Sequence, residues 1–258
     1  MSKISERLTK LGQVERSGFG FGAKAESSKI PVILIGVSID KASDAKGLEA
    51  DLYVLAANSK GAAQATPVKG AEIWGVTVSG GSSKDIDAAV EAGSDFVIVD
   101  GESAPGAALR DDESGKGFIV GADVSEDRSK AIDSGPFDFV VLDGTNLKLP
   151  MNVGTVLDIQ EQLGRYSSHI FLRINEVPDQ ANLELLRDIG ISALIYDAKT
   201  AAKADLPSLR KSIDQLEPKK QKSAAGAVIP RAGESTSSHD DDGDEHDHDH
   251  DHDDEDWE

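Results

Sequence analysis

The fold this sequence predicts is a closed, parallel (β/α)8 barrel, and three observations carry the prediction. Eight short apolar runs lie between residues 32 and 197. They are VILIGVSI from Val32, DLYVLAA from Asp51, EIWGVTV from Glu72, DFVIVD from Asp95, GFIVGADV from Gly117, DFVVLD from Asp138, HIFLRI from His169 and ALIYDA from Ala193. Their starts are about 19 to 31 residues apart, the rhythm of strand, crossover and parallel strand. The runs are apolar at nearly every position, as strands covered on both faces are. An open, doubly wound sheet shares the second and third features; the count of eight favours closure.

Residues 2–16 read as a short amphipathic helix. Ile4, Leu8 and Leu11 fall at i, i+4 and i+7, and Ser2 or Ser5 can cap it. Gly18-Phe19-Gly20-Phe21-Gly22 follows. It lacks the Lys-Ser/Thr of a phosphate-binding loop, so Phe19 and Phe21 are expected to pack across one barrel end. Between the first three runs no clear helical periodicity occurs, and 101–116 allow at most a two-turn helix around Gly106 to Arg110. The outer helices of the first half are therefore expected to be short or absent. Helices are predicted over Ser83 to Ala92, Glu126 to Ser134, Val153 to Tyr166, Asp179 to Ile189 and Leu206 to Leu216. Gly93, Gly135 and Gly190 stand where a left-handed residue would end a helix before a strand.

Three of these junctions share one pattern: helix, Gly, apolar strand, Asp. Ala89 to Gly93 leads into DFVIVD, Ala131 to Gly135 into DFVVLD, and Leu186 to Gly190 into ALIYD. Over about residues 30–217 the chain thus resembles the aldolase-type (β/α)8 superfamily. Asp95-Phe-Val-Ile-Val-Asp100-Gly-Glu102-Ser103 also looks like the D-F-V-x-x-D-x-E-H segment of metal-dependent 2-keto-acid aldolases. That likeness implies a divalent metal and reversible C–C cleavage. Two departures weigh against it. Ser103 stands in the place of the His, and the segment lies on the fourth strand rather than near the start.

The net charge of −20 is not spread over the chain. Residues 234–258 hold 14 acidic residues and no Lys or Arg, leaving 33 acidic and 27 basic groups elsewhere. The barrel portion is therefore only mildly acidic. Nucleic-acid binding needs clustered cations, which this chain lacks, and the tail would repel polyanions and anionic membranes. There are no cysteines, which excludes thiolate metal sites, disulfides and cysteine nucleophiles. The polar N-terminus has no signal-peptide segment, and no run approaches a membrane span. A cytoplasmic protein is expected. Self-association leaves no readable signal.

Chemistry in such a barrel belongs at the carboxyl ends of the strands. Asp100, Asp123 and Asp143 end or follow three successive strands, close enough in principle to share Mg²⁺ or Mn²⁺. Strand-end Asp residues also cap the following helix or loop, and both readings stand. Glu102 is the acid/base candidate. Arg173, a cation inside an apolar run, and Lys199 are candidate clamps for a small anionic metabolite, with Arg173 pairing to Asp143 or Asp197. No Lys sits inside an apolar run, which argues against a Schiff-base lysine. Ser79-Gly80-Gly81-Ser82-Ser83 reads better as a capped turn than as an anion cradle. His169 lies at a strand start, away from the chemistry.

The chain divides into 1–29, a helix and Gly/Phe segment packing on the barrel; 30–217, the barrel; 218–238, a flexible linker; and 239–258, a disordered His/Asp-rich tail. In the tail His246, His248, His250 and His252 alternate with Asp, a donor set suited to Zn²⁺ or Ni²⁺. Two functions follow. One is a barrel enzyme of lyase or aldolase type, dependent on a divalent metal and acting on a small anionic metabolite. The other is a non-catalytic binding or assembly barrel whose tail sequesters metal.

Overall fold

Eight parallel strands close on themselves in sequence order, each hydrogen-bonded to its neighbours and β8 to β1. The computed structural model describes residues 1–13, 30–121 and 123–218. The strands are β1 (Leu34–Ile39), β2 (Leu52–Leu55), β3 (Trp74–Val78), β4 (Phe96–Val99), β5 (Gly115–Ile119), β6 (Phe139–Asp143), β7 (His169–Arg173) and β8 (Ile191–Asp197). The helices are α1 (Lys3–Thr9), α2 (Ser83–Glu91), α3 (Glu126–Asp133), α4 (Val153–Leu163), α5 (Gln180–Ile189), α6 (Ala198–Ala201) and α7 (Leu206–Asp214). Among the described residues no helix is long and apolar enough to cross a membrane.

The first half of the barrel is reduced, as its sequence predicts. A single 3-10 turn, Ala42–Ala45, joins β1 to β2, and no helix separates β2 from β3. Another such turn, Gly106–Leu109, serves between β4 and β5. From α2 onward each predicted helix is present, with side-chain caps where the sequence offers them. Ser82 and Asp85 form a capping box at α2, and Ser125, Asn152, Asp179 and Asp205 accept backbone N–H groups at α3, α4, α5 and α7.

Alternate strand residues point inward or outward, and two apolar clusters mark the two faces. The inner cluster holds Leu34, Leu52, Val54, Ile73, Phe96, Ile98, Phe139, Val141, Phe171, Ala193 and Ile195. The outer one packs beneath the helices. Few aromatics fill the interior, so glycines make room for them. Phe96 meets Phe139 edge-on at 5.8 Å, and Phe139 stacks on Phe171 at 4.1 Å. A Cβ on Gly75 would lie 2.3 Å from the Phe96 ring, and one on Gly117 2.3 Å from the Phe139 ring.

The amino-terminal end of the barrel is closed by α1. Ile4 and Leu8 join the inner cluster, and burying such side chains is worth about 1.5–3 kcal/mol each. Asp95, just before β4, accepts the Lys3 and Ile4 N–H groups, both at 2.8 Å. Asp138, just before β6, accepts the Ser5 hydroxyl at 3.1 Å and the Lys116 N–H at 2.8 Å. Asp51 does the same before β2, accepting Ile35 N–H and pairing with Arg210 at 2.6 Å. The Asp that opens a run is thus a structural tie at this end.

Four details correct the sequence reading. The N-terminal helix ends at Thr9, short of Leu11, because the chain turns at Gly12 with φ +71°. The Gly18–Gly22 segment with Phe19 and Phe21 lies outside the described residues. β5 begins two residues early, at Gly115, because Gly-Lys-Gly carries no apolar signal. Gly93 and Gly190 are left-handed, at φ +92° and +108°, but Gly135 is not. Pro136 follows it and restricts its backbone. Its lack of a side chain instead admits the Phe137 ring, 2.8 Å from where a Cβ would sit.

Candidate functional site

The inward register runs on past the packed interior to the carboxyl ends of the strands. Two residues beyond Gly36, Gly75, Ile98, Val141, Phe171 and Ile195 lie Ser38, Thr77, Asp100, Asp143, Arg173 and Asp197. Side chains two apart on a strand share a face, so these six polar residues form the mouth of the barrel.

Asp143 and Arg173 are direct register partners on β6 and β7. The Asp143 carboxylate accepts the Thr145 N–H at 2.9 Å. That bond, the Thr145 hydroxyl and the nearby Arg173 charge hold it below the usual carboxylate range. Arg173 is half-buried and makes no hydrogen bond or close ion pair through its guanidinium with any described residue. A guanidinium has five N–H donors, so this one faces the mouth with donors to spare.

Asp197 has the capping role that strand-end Asp residues often have. It accepts Lys199 N–H, Thr200 N–H and the Thr200 hydroxyl at 2.8 to 2.9 Å. Burial works to raise its pKa, but the Thr200 and Lys199 donors and the Lys199 charge outweigh it and keep the group acidic. Lys199 is exposed beside it. Asp100 is exposed at the mouth, and its carboxylate bonds no described residue.

The three carboxylates expected to share a cation do not assemble. Among the described residues no group of three or more His, Asp or Glu side chains is placed to hold a metal ion. Asp143 spends its carboxylate on Thr145 and faces a guanidinium, while Asp123 is exposed in the loop beyond β5. The trio therefore does not fit Mg²⁺ or Mn²⁺. Glu102 is also elsewhere. Arg128 of α3 grips it at two points, Nε to Oε1 at 2.7 Å and the second nitrogen to Oε2 at 2.5 Å. Ser103, in the place of the aldolase His, donates its hydroxyl to the Ser79 carbonyl and ties two loops together. Gly81 and Ser82 form the capped turn of α2, with φ +84° at Gly81. His246, His248, His250 and His252 lie outside the described residues.

Sequence reasoning missed the Glu102–Arg128 pair, whose partners are 26 residues apart, and the burial of Lys116. That side chain is nearly covered at the closed end, its ammonium 3.8 Å from exposed Asp112. Only the Gly-Lys-Gly interruption hinted at it. His169 sits near Asp138 and Ser192, with its Nδ1 3.2 Å from the Ser192 hydroxyl. Burial lowers its pKa, partly opposed by Asp138.

No protein-family model matches the sequence, and no curated protein is similar to it. Solved structures do match. KGPDC from Streptococcus mutans is 10% identical, with TM-score 0.52, over 70% of this chain and 97% of its own. A structure of the same enzyme in complex with a phosphorylated sugar matches over the same shares, at 10% identity and TM-score 0.50. A mutant tryptophan synthase alpha-subunit from Pyrococcus furiosus is 11% identical, with TM-score 0.51, over 72% and 98%. Identities this low establish the fold alone, and that fold is the aldolase-type (β/α)8 barrel. The resemblance drawn from the repeated strand junctions therefore holds at the level of architecture.

Proposed function

We propose that the protein is a barrel enzyme of lyase or aldolase type that binds a small anionic metabolite at the carboxyl-terminal mouth. The observation that carries this reading is Arg173: a half-buried guanidinium on the inner face of β7, without a close partner, beside an ionised Asp143. A cation held in that way has its donors oriented in advance for a carboxylate or phosphate. Asp143 serves to orient Arg173 rather than to move protons, since its pKa is depressed. Asp100, the unbonded carboxylate of the ring, is the candidate acid/base. Lys199 supplies a second positive charge at the rim. Glu102, gripped by Arg128, is a weaker candidate than its spacing implied.

The substrate class that best fits is a phosphorylated sugar or a 2-keto acid. A phosphorylated sugar bound to a barrel of the same fold makes such compounds reasonable first probes. The test is to incubate the protein with a panel of both kinds and follow C–C cleavage by proton NMR, with and without EDTA. Turnover lost in Arg173→Gln and Asp100→Asn supports the reading, and turnover unchanged in both removes it.

A second reading rests on the tail. His246, His248, His250 and His252 would hold Zn²⁺ or Ni²⁺ between alternating Asp residues. Equilibrium dialysis of the full chain against a variant with these four His changed to Ala tests it. Equal metal uptake by both would remove that reading.

A further inference from the structure

Between β4 and β5 the chain makes one 3-10 turn where a full barrel carries a crossover helix. A cavity of about 300 Å³ opens on the outer side of these strands, between the loop and α3. Val99, Phe118 and Ile132, all nearly covered, line it with Phe137 and Leu109. The Phe118 and Phe137 rings lie 5.2 Å apart, tilted by 56°. Arg128 and Glu102 also line it, and their side chains are 50% and 64% exposed, which places the ion pair on the solvent side.

We propose that this cavity is a binding site for a small organic anion with an apolar body, such as an arylalkanoate, and that Arg128 holds its charged end. Size agrees first. An apolar cavity of about 150 Å³ accepts benzene, so this one has room for a ring and a short chain. The wall agrees next, being aliphatic and aromatic with few polar groups, as small-molecule pockets are. Charge agrees last. Glu102 occupies two of the five N–H donors of Arg128, and the rest bond no described residue. The site is separate from the mouth, because Val99 faces outward from β4 and Asp100 inward. Glu102 competes with the ligand for the guanidinium, so the two partners have opposite effects on affinity.

Calorimetric titration of the full chain with 3-phenylpropionate tests this, with neutral 3-phenylpropanol as the comparison. One equivalent of the acid is expected to bind, at least about tenfold tighter than the alcohol. Arg128→Gln should weaken it about tenfold, Glu102→Gln should tighten it, and Ala104→Phe, which fills the cavity, should abolish it. Arg173→Gln should leave it unchanged. Thermal unfolding checks each variant, and the gain in Glu102→Gln carries the test if Arg128→Gln fails to fold. The proposal is overturned if no heat appears by about 10 mM, or if acid and alcohol bind equally. Persistence of binding in Ala104→Phe, or its loss in Arg173→Gln, also overturns it.

Discussion

Asp143 and Arg173 face each other in register across the β6–β7 ladder, yet the carboxylate bonds Thr145 and leaves the guanidinium without a close partner. A salt bridge would have neutralised the mouth. Instead Asp143 fixes the sign and position of Arg173 from a distance, and the donors stay open toward the barrel axis. In the proposed function the pair takes the place of the metal that a cluster of strand-end carboxylates would have required.

Packing of the interior gives the first prediction. Gly117→Ala puts a methyl group 2.3 Å from the Phe139 ring, and overpacking of this kind costs about 1–3 kcal/mol. Chemical denaturation should show that loss. Adding Phe139→Leu should recover part of it, because the smaller side chain vacates the contested space.

Asp95→Ala removes two charge-assisted bonds to the first turn of α1. Such bonds are worth about 1.5–3 kcal/mol each. Amide exchange of Lys3 to Leu8 should accelerate strongly while strand amides change little. Uniform protection in the variant would show that Ile4 and Leu8 hold the helix alone.

His169 has a folded-state pKa depressed by burial. The unfolded chain then binds more protons than the folded one between that value and the ordinary pKa near about 6.5. Stability from this group is complete above about pH 6.5 and is lost as pH falls through the folded value. His169→Gln should flatten the stability profile between about pH 7 and 5. An unchanged profile would place the titration elsewhere.

Tyr196 is fully buried on the outer face of β8, and its hydroxyl has no hydrogen-bond partner. Burial pushes its pKa upward. Tyr196→Phe removes an unsatisfied group, so stability should stay within about 1 kcal/mol of wild type or rise. A larger loss would reveal a bonded water or partner.

The strands were legible because burial on both faces leaves an apolar run with no period to misread. All eight appear, and only β5 shifts, where Lys116 interrupts the run. The mouth was half legible. Strand ends located Asp100, Asp143, Arg173 and Asp197, because parity and fold together fix which side chains turn inward. What each carboxylate does there depends on partners that spacing cannot show. Thr145 claims Asp143, Thr200 claims Asp197, and Arg128 claims Glu102 from another element. The opening Asp residues of the repeated runs, Asp95 and Asp138, were overlooked for the same reason: their partners lie in α1 and β5.

The most direct test of the Arg173 anion site is a thermal-shift titration with ribose 5-phosphate, pyruvate and inorganic phosphate, on wild type and Arg173→Gln. At least one of these anions is expected to raise the Tm of the wild type in a saturable way, and to leave Arg173→Gln unmoved. Equal shifts in both proteins, or no shift with any of the three, would contradict a binding mouth built on Arg173.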